Sequence, residues 1–82
     1  MTGRRRLFMI LVKFSNNVTR KEEVMSAQTT INEAMENLDV DVRGLLTLNG
    51  AFISKDDYDK SFEELGVTDK ARLYDVVKSD NA

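Results

Sequence analysis

Apolar and polar side chains divide the chain into short pieces. From about Arg6 to Phe14 nearly every position is apolar: Leu7, Phe8, Met9, Ile10, Leu11, Val12 and Phe14, with Lys13 the exception. A run this short, rich in β-formers and bounded by Ser15-Asn16-Asn17, predicts a buried strand. Side chains alternate with period two along a strand. Phe8, Ile10, Val12 and Phe14 therefore share one face, and Leu7, Met9, Leu11 and Lys13 the other. Asn16-Asn17 can supply the positive φ angles of a tight hairpin turn, which makes Val18 to Met25 the returning strand. Its middle, Arg20-Lys21-Glu22-Glu23, is charged. That suits an edge strand, where charge discourages pairing with another sheet.

The period then changes. Ile31, Ala34, Met35 and Leu38 fall at i, i+3, i+4 and i+7, one apolar stripe of a helix facing a core. Thr30-Ile31-Asn32-Glu33 reads as a capping box, so the helix spans roughly Ile31 to Asn37 or Leu38 and ends near Asp39. Leu45-Leu46-Thr47-Leu48 and Ala51-Phe52-Ile53 are two short strands joined by Asn49-Gly50, the strongest short hairpin signal. Ser54 to Lys60 is polar, and Ser54 stands three residues before Asp57, so a helical turn can start there. Ser61-Phe62-Glu63-Glu64-Leu65-Gly66 predicts a second capped turn with Phe62 and Leu65 inward and Gly66 as a left-handed stop. After a turn at Asp69-Lys70, Arg72 to Val77 forms the last strand. The order is β-β-α-β-β-turn-β, with one helix long enough to cover a sheet.

Length and composition narrow the function classes. Eighty-two residues make one domain with one small core. The expected boundaries are a flexible basic leader over 1–5, a folded domain over 6–78 and a flexible tail over 79–82. A net charge of −2 predicts no overall attraction to nucleic acid or to an anionic membrane. The absence of cysteine and histidine removes thiol chemistry, thiolate metal sites, and the commonest general base and metal ligand. Arg4-Arg5-Arg6 before an apolar run resembles a signal peptide only superficially, because Lys13 ends the run and no small-residue cleavage site follows. A cytoplasmic location is the default. Asp56, Asp57 and Asp59 with Glu63 and Glu64 lack the spacing of a calcium loop and read as a solvated surface. No catalytic residue, cofactor or metal is expected, and the chain is read as no enzyme.

The order of elements, and three stretches in particular, carry a resemblance. Ser26-Ala27-Gln28-Thr29-Thr30 leads into the helix through Leu38-Asp39. Leu46-Thr47-Leu48-Asn49-Gly50 is followed by Phe52-Ile53, and Ser61 to Val67 precedes the last strand. From about Phe8 to Val77 the chain resembles the β-grasp sulfur-carrier proteins of thiamin and molybdopterin biosynthesis and, more distantly, ubiquitin. The resemblance implies an α+β, ubiquitin-like β-grasp: a mixed four- to five-stranded sheet packed on one central helix. In the carriers, activity rests on a C-terminal Gly-Gly whose carboxylate is adenylated and converted to a thiocarboxylate. Here the four glycines, Gly3, Gly44, Gly50 and Gly66, are each isolated. The departure falls on the motif that carries the chemistry.

The face of the sheet turned away from the helix is therefore the candidate working part. If Leu46 and Leu48 point inward, Leu45 and Thr47 point outward; if Leu73 and Val77 point inward, Tyr74 and Val76 point outward. Ubiquitin's main recognition surface is an apolar patch on this face, and the resemblance puts Leu11, Leu45, Tyr74 and Val76 forward as a protein-contact surface. Asp75 is the awkward residue, since this register places it on the core face. The expectation is that a bulge re-aims it or that it sits at the sheet's edge. The function expected is a non-catalytic module that binds a protein partner, or a second copy of itself, and neither nucleic acid nor membrane. The alternatives are a degenerate or precursor sulfur carrier and a small accessory subunit of a larger enzyme or secretion complex.

Overall fold

The structure, a computed structural model, describes residues 9–76 of the chain. The expected leader and tail, and the positions given above to Arg4, Arg5, Arg6, Leu7, Phe8 and Val77, lie outside the described residues.

Five strands form one mixed sheet in the order β2-β1-β5-β3-β4. They are β1 (Met9–Ser15), β2 (Arg20–Ser26), β3 (Leu45–Leu48), β4 (Ala51–Phe52) and β5 (Lys70–Val76), with one helix, α1 (Ile31–Leu38), between β2 and β3. The central pair, β1 and β5, is parallel, and every other pairing is antiparallel. This is the β-grasp arrangement, and the charged β2 is an edge strand as its sequence predicts. Ile10, Val12 and Phe14 of β1, Leu46 and Leu48 of β3, and Ala71 and Leu73 of β5 are buried. They pack in one cluster with Ile31, Ala34, Met35 and Leu38, the apolar stripe of α1.

The helix has defined ends. Thr30 Oγ1 accepts from Glu33 N at 3.1 Å, while Glu33 Oε1 accepts from Thr30 N at 3.0 Å. Asp39 takes the left-handed conformation at φ 59°. The Asp39 N–H donates to Glu36 O and the Val40 N–H to Met35 O, each at 3.1 Å, so the last carbonyls are satisfied in a Schellman arrangement. The second capped turn is also present: Glu64 N donates to Ser61 Oγ at 3.1 Å, Ser61 N donates to Glu64 Oε1 at 2.9 Å, and Gly66 has φ 86°. Phe62 N donates to Thr29 O and Glu63 N to Ala27 O, which lays this turn along the start of α1 and buries Phe62 completely.

The two hairpins differ from one another. Asn49 and Gly50 both have positive φ, 53° and 92°, as a type I′ turn requires. Asn16 and Asn17 do not, and the expected tight turn there is a four-residue loop, Asn16 to Thr19. The Asn16 side chain organises it instead, its Oδ1 accepting from Val18 N at 2.8 Å and Thr19 N at 2.7 Å. An Asn side chain can stand in for a backbone turn in this way. The returning strand therefore begins at Arg20 rather than Val18.

Asp75 corrects a second expectation. There is no bulge, and β5 is not at the edge: Asp75 lies directly opposite Leu46 within the ladder and is 1% exposed. Its carboxylate accepts from Arg43 N through Oδ2 and from Gly44 N through Oδ1, both at 2.8 Å. A buried carboxylate is tolerable when donors saturate it. Here the donors are backbone groups of the connection between α1 and β3, which Asp75 fastens to the end of the sheet.

Candidate functional site

The register fixes which side chains share the outer face. Leu45 pairs with Val76, Thr47 with Tyr74 and with Phe52, and Tyr74 with Ser15. Directly paired residues project from the same side of a sheet. Leu45, Val76, Tyr74 and Phe52 therefore form one apolar group over β3, β4 and β5. Leu45 is 62% exposed, Phe52 65% and Tyr74 40%, and Val76 is half-buried. Thr47 sits beneath them, its Oγ1 donating to Tyr74 O at 3.3 Å. The Tyr74 hydroxyl donates to Asn17 Oδ1 at 3.4 Å, which orients the ring toward the β1–β2 loop.

Three of the four sequence-derived candidates, Leu45, Tyr74 and Val76, thus come together. Leu11 does not join them. It pairs with Lys70 and Val24, whereas Tyr74 lies beside Ser15, four residues further along β1. At about 3.3 Å per residue that is a separation of roughly 13 Å. Leu11 instead adjoins the exposed Val24, in a second and smaller apolar group nearer the start of β1.

Phe52 is the member that sequence reasoning missed. The signal was present in the hairpin: a two-residue turn at Asn49-Gly50 puts Leu48 opposite Ala51 and Thr47 opposite Phe52. Phe52 then inherits the outward direction of Thr47. Asn49 does more than turn the chain. Its Oδ1 accepts from Arg72 N at 2.8 Å, its own N–H donates to Arg72 O at 2.8 Å, and its Nδ2 donates to Lys70 O at 3.2 Å. The turn is thereby held against β5, which steadies β4, where Phe52 flanks Thr47 on the side away from Tyr74.

A band of cations separates the two apolar groups. Arg72 on β5 is paired with Lys13 on β1, and Lys13 with Glu22 on β2. Lys13 Nζ lies 4.0 Å from Glu22 Oε1, with both side chains well exposed. Lys13, Arg20, Arg72, Ser15, Thr47 and Tyr74 line a shallow depression of about 660 Å³ on this side of the sheet.

On the opposite side, the acidic stretch surrounds a 3-10 turn at Lys55–Asp59 and the capped turn after it. The Lys60 ammonium, 3.2 Å from Asp57, holds that carboxyl below its usual pKa by hydrogen bonding. Among the described residues no group of three or more carboxylates is gathered as a metal site would be. No helix of the described residues is long and apolar enough to cross a membrane.

No protein-family model matches the sequence, and no curated protein matches it. Solved structures do. The solution NMR structure of the ubiquitin-like domain of an Arabidopsis thaliana protein superposes with a TM-score of 0.67 at 17% identity, covering 100% of this chain and 90% of that one. A second NMR structure of the same Arabidopsis protein gives a TM-score of 0.64 at 18% identity, covering 94% and 95%. The fold is ubiquitin-like. At this identity the likeness is one of architecture, and in this ubiquitin-like sheet the chemistry has to be read from the face itself. What that face offers is exposed apolar surface on a stiff support, crossed by cations.

Proposed function

We propose that this ubiquitin-like domain is a non-catalytic interaction module that binds a protein partner through the outer face of its sheet. The observation that carries the reading is the grouping of Leu45, Phe52, Tyr74 and Val76 on one side of a sheet whose other side is filled by the core. Single exposed apolar residues are ordinary, but contiguous ones on a rigid element favour a contact surface. The aromatic members are the residue types that anchor interfaces. The sulfur-carrier alternative shares the fold, but no diglycine stands anywhere in the sequence. Use as an accessory subunit of a larger complex is one form the proposed binding can take.

The test is to replace Leu45 and Tyr74 together by Glu and to isolate partners of the tagged protein from its native cell. The paired variant should keep its far-UV circular dichroism and lose the partner that the wild type retains. Asn37→Glu, on the exposed side of α1, is the control and should retain it. A folded Leu45→Glu/Tyr74→Glu protein that still holds the wild-type partner removes this reading.

A further inference from the structure

The charge of this domain is segregated between its two sides, and the net value of −2 conceals it. Among the described residues the outer face carries Lys13, Arg20, Lys70 and Arg72 against the single carboxylate of Glu22, all on paired strands. The layer on the other side, residues 27–44 and 53–66, carries nine acidic and three basic side chains. One of those three, Lys60, is engaged by Asp57. The acidic groups are brought into one layer by the fold. Thr30 and Ser61 form a β-bridge, which sets Glu63 beside the start of α1, and Asn32 Nδ2 donates to Asp59 Oδ1 at 2.9 Å across to the 3-10 turn.

The cations are placed at a cost to the fold. Lys13 and Arg72 are direct neighbours in the β1–β5 ladder, and like charges side by side in a sheet are destabilising. Glu22, of opposite charge, is 4.0 Å from Lys13 and exposed, a geometry that contributes little. A contact that brings carboxylates over this row would relieve the repulsion. A symmetric dimer formed through the outer faces would do the opposite, setting cations of one copy against cations of the other.

We infer that the outer sheet face, with Lys13, Arg72 and Tyr74 at its centre, seats the acidic helix-side layer of a second copy of this chain, giving head-to-tail self-association. The inference rests on the outer face being a contact surface, as proposed above. It commits that surface to an occupant whose chemistry is present in the molecule itself. Because the two surfaces lie on opposite sides of one domain, each added copy leaves one of each free. The contact is heterologous, and the product is an open chain unless its rotation closes a ring. A five-stranded sheet with strands of at most seven residues presents roughly 20 by 23 Å, at the small end for a stable interface. The association is accordingly weak, rapidly exchanging and sensitive to salt.

Sedimentation velocity of the full chain over a concentration series tests it, first at low and then at high ionic strength. The wild type should associate at low ionic strength, and the association constant should fall about tenfold or more at high. Two variants then separate the surfaces: Lys13→Glu/Arg72→Glu on the sheet and Glu36→Lys/Asp59→Lys/Glu63→Lys on the helix side. Each alone should be monomeric, because its two surfaces then carry charge of one sign, and an equimolar mixture should associate again, because each variant's surfaces are opposite in charge to the other's. Amide chemical shifts of the wild type followed on dilution need no variant. They should move on both β1–β5 and the helix-side layer.

A wild type that stays monomeric at every concentration overturns the inference, as does association indifferent to salt. Shifts confined to the sheet, or folded variants that fail to pair, overturn it equally. So does a monomer that captures a labelled oligonucleotide through the same cations. A monomeric wild type that loses a different protein partner on Leu45→Glu/Tyr74→Glu substitution keeps the interaction reading and sinks self-association alone.

Discussion

The two faces of the sheet are made from alternate residues of the same strands, yet they obey different rules. On the inner face Ile10, Val12, Phe14, Leu46 and Leu73 are excluded from solvent, and the buried Asp75 has its carboxylate bonded to two backbone donors. On the outer face Phe52 and Tyr74 stand in solvent, and Lys13 and Arg72 are neighbours with little to neutralise them. An interior is held by packing and by complete satisfaction of its polar groups. The outer face is held by neither condition. The difference between the faces therefore separates what holds this chain folded from what the proposed binding would use.

The largest expected effect compares one residue type on both faces. Phe14→Ala should cost about 4 kcal/mol, because it removes a fully buried ring and leaves a cavity. Phe52→Ala should cost less than about 1 kcal/mol, because most of that ring is already in water. Urea titrations measure both. A domain this size has roughly 4–12 kcal/mol in total, so Phe14→Leu, at about 1 kcal/mol, keeps the inner-face arm readable if Phe14→Ala unfolds. Equal losses at Phe14 and Phe52 would make the outer face part of the core and end the comparison.

Next in size is Asp75→Ala, expected to cost about 2–3 kcal/mol. It strips charge-assisted acceptors from the Arg43 and Gly44 N–H groups. Asp75→Asn should lose less, since one acceptor oxygen remains and the amide group meets a donor. The midpoint of urea unfolding should fall with the slope unchanged for both variants. An Asp75→Ala protein as stable as the wild type would show that the carboxylate only occupies space.

Most of the architecture was legible in the sequence because its signals are local. The Thr30 and Ser61 capping boxes, the period of Ile31, Ala34, Met35 and Leu38, and the Asn49-Gly50 turn each depend on residues within one or two turns of chain. What was not legible depends on distant partners. Asp75 looked misplaced because its donors lie 31 and 32 residues away in the chain. Asn16 looked like a left-handed turn residue, since composition does not distinguish an Asn that bends its own backbone from one that uses its side chain. On the outer face, alternation put Leu45, Tyr74 and Val76 on one side, as the pairings do. Alternation says which side a residue faces and not how far along the strand its neighbour lies, so Leu11 was grouped with them wrongly. The segregation of charge was invisible for a related reason. Net charge sums over the chain, and only the strand pairings reveal that the cations lie in adjacent rows.

A smaller effect sharpens the contrast between polar contacts on the two faces. A double-mutant cycle with Lys13→Ala and Glu22→Ala should give a coupling below about 0.5 kcal/mol, since both side chains are well exposed at 4.0 Å. Coupling of the size expected at Asp75 would mean that the outer-face cations are already neutralised within the domain. The case for an acidic partner would then weaken.

The smallest effect vanishes at neutral pH and concerns Tyr58, which packs against the core from the 3-10 turn. Burial raises its pKa above the ordinary value of 10.0, and the nearby charge of Asp75 raises it further. A folded-state value above the unfolded one means that the unfolded chain gives up this proton first. The stability Tyr58 contributes is therefore fully present below about pH 10 and is lost as pH rises through its folded value. Tyr58→Phe has no proton to lose, so its melting temperature should fall less than that of the wild type above pH 10, with the two parallel below. Because Asp75 is part of the cause, Asp75→Asn should move the wild-type profile toward that of Tyr58→Phe. If wild type and Tyr58→Phe decline together, the Tyr58 hydroxyl is solvated in the folded domain, and the inner side of the sheet is wetter at that edge than its packing indicates.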